Sequence, residues 1–159
     1  MRKQIFTAIA EKLLTVPGIT YVDLWNDNGS HFAGGAVYPL PAVFIEFDTI
    51  DWRQQNNAAR RADINVRLHI LNRASAGLHG SQDPAMAEAL ARFDLLDQVN
   101  AAMQGLRGEN FAGFMHTVSA TNHAHAEIVE DIECFRTSAQ DTTAMRPVSR
   151  VVGLSAAVK

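Results

Sequence analysis

The chain has 159 residues, 47% of them hydrophobic and 19% charged, with a formal net charge of −3 and a single cysteine. That length suits one domain, spanning residues 1–159. The apolar content exceeds that of disordered chains, and the near-neutral charge gives no bulk attraction to nucleic acid or anionic membrane. One cysteine excludes an internal disulfide framework and a cysteine-based zinc finger. No apolar run is long enough to cross a membrane as a helix, and the charged start, with Glu11 and Lys12, does not read as a signal peptide, so an intracellular soluble domain is expected.

The first element predicted is a helix over Arg2 to Thr15. Ile5, Ile9, Leu13 and Val16 recur at helical spacing, and Pro17-Gly18 stops the pattern. Tyr21 to Trp25 is short and β-prone, and Asn26-Asp27-Asn28-Gly29-Ser30 reads as a turn cluster. Ala42 to Phe47 is almost wholly apolar, as expected of a strand covered on both faces. In the clearest strand, Ile64, Val66, Leu68 and Ile70 alternate with Asp63, Asn65, Arg67 and His69. Between these strands, Asp48 to Arg61 reads as the polar outer part of an extended hairpin.

Asp83-Pro84 is a helix-start signal, because Asp accepts free amide protons and Pro fits the first turn. Met86, Leu90, Phe93, Leu96, Val99, Met103 and Leu106 step by three or four, which predicts a helix over Asp83 to Gln104, closed by Gly105 or Gly108. Three β-like runs follow: Phe114 to Thr121, Ile128 to Thr137 and Val148 to Val158. The order predicts an α+β fold, a single mostly antiparallel sheet with two helices packed on one face. Leu90, Phe93 and Ile9 are expected to meet Ile64, Val66, Leu68 and Ile70.

Several groupings could carry chemistry. In an extended segment both imidazoles of His123-Ala124-His125 lie on one face, and His116 or Glu127 could complete a metal site, but a polar loop carries such histidines at no cost. Glu127, Glu130, Asp131 and Glu133 could serve acid–base work or a hard cation. Asp131 and Glu133 share a strand face opposite Ile132, so the plainer expectation is a wet or subunit-facing face. Cys134, in phase with Ile128 and Ile132, reads as a buried structural thiol. The glycines match no phosphate loop, and no nucleophile elbow surrounds a serine. No enzymatic activity, cofactor or metal is therefore expected.

The Trp52–Arg61 segment is different. Arg53, Arg60 and Arg61 stand beside Trp52, and Arg and Trp dominate interface energetics. The segment from Ala126 to Arg136 carries four acids. A basic projection and an acidic strand on one small domain are complementary patches of the kind a head-to-tail ring needs.

The chain also resembles a known family. A helix ends in Val16-Pro17-Gly18-Ile19. Tyr38-Pro39-Leu40-Pro41-Ala42-Val43 leads into a strand, and a long polar hairpin returns through Arg61-Ala62-Asp63-Ile64-Asn65-Val66-Arg67-Leu68. This arrangement, from about Arg2 to Thr137, resembles the tail-terminator and tail-completion proteins of long-tailed phages and their prophage remnants. Residues 138–159 lie outside it. The resemblance implies an α+β domain without catalytic residues, which forms a hexameric ring capping the tail tube at the head–tail junction. Its partners would be its own copies, the tail tube and head–tail connector proteins. It would be found in the bacterial cytoplasm during assembly and in the virion tail afterwards. Two other readings are a small ligand-binding or enzymatic α+β domain using His123, His125 and Glu127, and an adaptor that binds one protein through the Trp52 hairpin.

Overall fold

A computed structural model describes residues 1–35, 37–74, 80–84, 86–125 and 127–145. The predicted run Val148 to Val158 lies outside these. In chain order the elements are α1 (Arg2–Leu13), β1 (Tyr21–Leu24), α2 (Asn28–Ala33), β2 (Ala42–Phe47), β3 (Arg53–Gln54), β4 (Arg60–Arg73), α3 (Met86–Met103), β5 (Met115–Asn122) and β6 (Ile128–Asp141). One six-stranded sheet has the order β1-β2-β4-β6-β5, with β3 paired to the start of β4. The β1–β2 pair is parallel and the others are antiparallel. The α+β expectation is borne out.

Helices α1 and α3 cover one face because the strands offer them an apolar row. Ile64, Val66, Leu68 and Ile70 are all fully buried, and they cluster with Ile5, Ile9 and Leu13 of α1 and Val99 and Met103 of α3. Alternation puts Val43 and Ile45 of β2 in the same layer. Gly105, at φ +77°, adopts the left-handed backbone just past the end of α3, and Gly18, at φ +90°, does so in the turns that follow α1.

Only the C-terminal half of α3 packs as expected. Leu90 and Phe93 are 49% and 47% exposed, contrary to the prediction that they meet β4. Apolar residues lie on more than one side of this helix, and the side carrying Leu95, Leu96, Val99 and Met103 is the one that meets the sheet. The helix also starts at Met86, after a turn in which the Met86 N–H donates to the Asp83 carbonyl at 2.9 Å.

The opposite sheet face divides in two. At one end, Ala42, Phe44, Leu71 and Ile128 form a second core under Tyr21, Trp25, Phe32, Tyr38 and Leu40. The predicted turn at residues 26–30 forms the approach to α2 and its first residues: Asp27 takes the left-handed conformation (φ 50°), and Phe32 of the helix packs on Tyr38 at 5.3 Å between ring centroids. Burial raises the Tyr38 phenol to about 12. The other end of this face is open and charged. Arg61, Asp63, Asn65 and Arg67 are exposed there, and ion pairs cross-link it, Arg136–Asp63 at 2.6 Å and Arg67–Asp48 at 3.0 Å.

Candidate functional site

The Asp48–Arg61 excursion is an ordered hairpin. Arg53 and Gln54 pair with Arg61 and Arg60, and the Gln55 N–H donates to the Ala59 carbonyl at 2.7 Å. The tip turns on Asn57 and Ala58, both at positive φ. Trp52 is half-buried against the main core, so it is not available as an exposed interface anchor. Arg60 lies over its ring at 4.5 Å and donates from Nε and Nη2 to Asp141 Oδ2 at 3.0 and 2.7 Å. Trp52, Arg60 and Asp141 thus clamp the tip end of the hairpin to the end of β6. Thr143, through its N–H and hydroxyl, and Arg60 stabilise the ionised Asp141 carboxylate and lower its pKa to about 2.

The clamp leaves two arginines facing outward. Arg53 and Arg61 are direct cross-strand partners, both exposed, and neither forms an ion pair among the described residues. Like charges placed opposite each other repel. The nearby Asp63 gains some stabilisation from both, but its close partner is Arg136.

The acidic strand is not the patch predicted. Glu127 is exposed, but Glu130, Asp131 and Glu133 are 3%, 0% and 4% exposed. Register gives the reason: Val66 pairs with Phe135, Leu68 with Glu133 and Ile70 with Asp131. Asp131 and Glu133 therefore face the helices, while Ile132 and Cys134 lie on the other face, half-buried. Burial, the largest influence, raises the Cys134 thiol above its ordinary value. Complementarity between the hairpin and this strand is overturned, because these acids are spent inside their own subunit.

Each buried acid has local partners. His116 Nε2 meets Glu133 Oε2 at 2.6 Å, and the Ser119 hydroxyl donates to the same oxygen at 2.6 Å. The Thr121 hydroxyl donates to Asp131 Oδ1 at 2.8 Å, and Arg92 of α3 places Nε 3.4 Å from Oδ2. Glu130, on the other face, meets His69 Nδ1 at 2.6 Å and accepts from Asn122 Nδ2 at 2.8 Å. His69 Nε2 meets Glu46 at 3.0 Å, and Trp25 stacks flat on the imidazole at 3.8 Å. Burial pushes the Glu130 carboxyl upward, but the hydrogen bonds from His69 and Asn122 and the charges of His69 and His125 together hold it below its ordinary value. This histidine–carboxylate cluster ties β2, β4 and β6 together. Sequence reasoning missed it, although His69 on an otherwise solvent-phased row was a usable signal.

Ser119, His116 and Glu133 do not form a nucleophile relay. The serine and the carboxylate both approach Nε2, at 3.3 and 2.6 Å, whereas a relay needs the carboxylate on the far nitrogen. His123 is exposed, and His125 is half-buried with its ring against Gly29. Among the described residues, no group of three or more His, Cys, Asp or Glu is placed to hold a metal ion.

A bulge at Thr117 redirects β5. The register shifts between His116 and Val118, so His116 faces the helices while Val118, 55% exposed, turns to the open face. The predicted alternation of Phe114, His116, Val118 and Ala120 on one face therefore breaks midway. No protein-family model matches the sequence, and no curated protein resembles it closely enough to count as a relative.

Proposed function

We propose that this protein is a structural component of a phage or prophage tail, a terminator or completion protein that forms a homo-oligomeric ring on the end of the tail tube, beside the head–tail connector. Its place would be the host cytoplasm during assembly and the finished virion tail afterwards. The sequence resemblance suggests the class, and the α+β architecture with the two main helices, α1 and α3, on one sheet face is compatible with it.

The observation that carries the reading is the clamped hairpin. A polar excursion costs conformational entropy to order, and long ordered loops in compact domains are usually functional. Here Trp52, Arg60 and Asp141 hold it rigid, and it presents Arg53 and Arg61 side by side. An acidic partner surface would convert the repulsion between these charges into attraction. The reading involves no catalytic step.

The test is light scattering across protein concentration, together with co-sedimentation on assembled tail tubes. A ring-sized species, or binding at tube ends, is expected. A chain that stays monomeric throughout and ignores tubes refutes the reading.

A further inference from the structure

With the strand acids buried, the hairpin arginines need another receiver. We infer that Arg53 and Arg61 of one copy dock on the groove between α3 and β5 of a second copy, an inference that rests on the ring reading above. The groove encloses about 410 Å³, and its walls include Phe93, Asp97 and Asn100 from α3 and Ser119 and Glu133 from the strands.

The chemistry of these walls selects an arginine. Asp97 is exposed. Both hydrogen bonds that Glu133 accepts from His116 and Ser119 land on Oε2, so neither engages its other oxygen. Asn100 Oδ1 is an acceptor in the groove wall without a hydrogen-bond partner among the described residues; the atom is closed to solvent, so a docking donor reaches it only if the wall shifts. Acceptors therefore predominate where a planar cation with five N–H donors would fit.

The rim is suited to the same guest. Leu90, Phe93, Asp94 and Asp97 follow at three- and four-residue spacing along the outside of α3. Leu90 and Phe93 are about half exposed, and Asp94 and Asp97 are exposed. An exposed aromatic flanked by carboxylates offers a guanidinium both stacking and ion pairing. Arg92 already lies over the Phe93 ring at 4.8 Å, so this surface holds one guanidinium within its own subunit.

Donor and receiver occupy different parts of the molecule. Arg53 and Arg61 lie at the hairpin end on the open sheet face, whereas the groove lies beside the edge strand β5 on the helix side. One copy can thus give and receive at once, which makes the contact heterologous, and closure of such contacts makes a ring.

The test uses the full chain with Asp97→Arg, with Arg61→Asp, and with both, measured by sedimentation velocity across concentration. Both positions are exposed, and unchanged circular dichroism confirms that the variants fold. Each single reversal is expected to weaken self-association by about tenfold or more, as for other close charge pairs, and the double variant should recover it, because every contact then carries the swapped pair. If the wild type assembles and the single reversals assemble equally well, or the double variant does not recover, the docking is overturned while the ring reading stands. A wild type that is monomeric at every concentration and on tail tubes removes the ring reading itself, and the docking with it.

Discussion

Replacing Leu68 by Ala tests which face of the sheet meets which face of α3. Leu68 is fully buried, and it lies at the middle of the sheet opposite Ile45 on β2 and Glu133 on β6. The substitution removes three carbon atoms; at about 0.8 kcal/mol each, the lost transfer energy is about 2.4 kcal/mol. The cavity left between β4 and the helices adds to this, giving roughly 3–5 kcal/mol if the rigid sheet cannot collapse around it. For a domain of this size that lowers the melting temperature by roughly 6–20 °C. The comparison is Phe93→Ala on α3. Phe93 is about half exposed, so its loss should cost under about 1 kcal/mol, in the range of surface substitutions. Urea denaturation followed by circular dichroism measures both, with the slope expected to stay constant. Equal losses in the two variants would place the N-terminal half of α3 on the sheet and refute the packing described above.

Glu130→Ala should destabilise by about 1–3 kcal/mol, because it removes the carboxylate 2.6 Å from the buried His69 Nδ1 and leaves Asn122 Nδ2 without its acceptor; a urea midpoint within error of wild type would contradict this. Asp141, lowered from 3.8 to about 2 in the folded protein, contributes stability that is fully present above its unfolded value and is lost as the pH falls through about 2. Glu130 is shifted in the same direction. The urea midpoint should therefore fall on acidification toward pH 2, and Asp141→Asn should flatten that profile. Cys134, half-buried with a raised thiol, should react with iodoacetamide at neutral pH more slowly than free cysteine; an equal rate would show that the thiol is open to solvent.

The unbroken alternation from Asp63 to Ile70 specified β4 and its buried row, because period two can place apolar side chains on only one face of a strand. Likewise, the stripe Ile5, Ile9, Leu13 and the stop at Pro17-Gly18 defined α1. The polar stretch from Asp48 to Arg61 marked the hairpin, since it lies between two apolar strands and lacks an apolar period of its own. What local pattern could not decide was phase. In β6, Ile128, Ile132 and Cys134 suggested one buried face, yet pairing with β4 aligns Phe135 and Ala139 with the main core and carries Asp131 and Glu133 inward beside them. Those acids are tolerated there because Arg92, His116, Ser119 and Thr121, from α3 and β5, supply charge and hydrogen bonds. In α3 the apolar residues cover more than one side, so the choice between Phe93 and Val99 belonged to the sheet it packs on. The bulge at Thr117 inverted the second half of β5 in the same way. Sequence periodicity determines which residues share a face. Which face is buried depends on long-range register, and register is set by the neighbouring strands and helices.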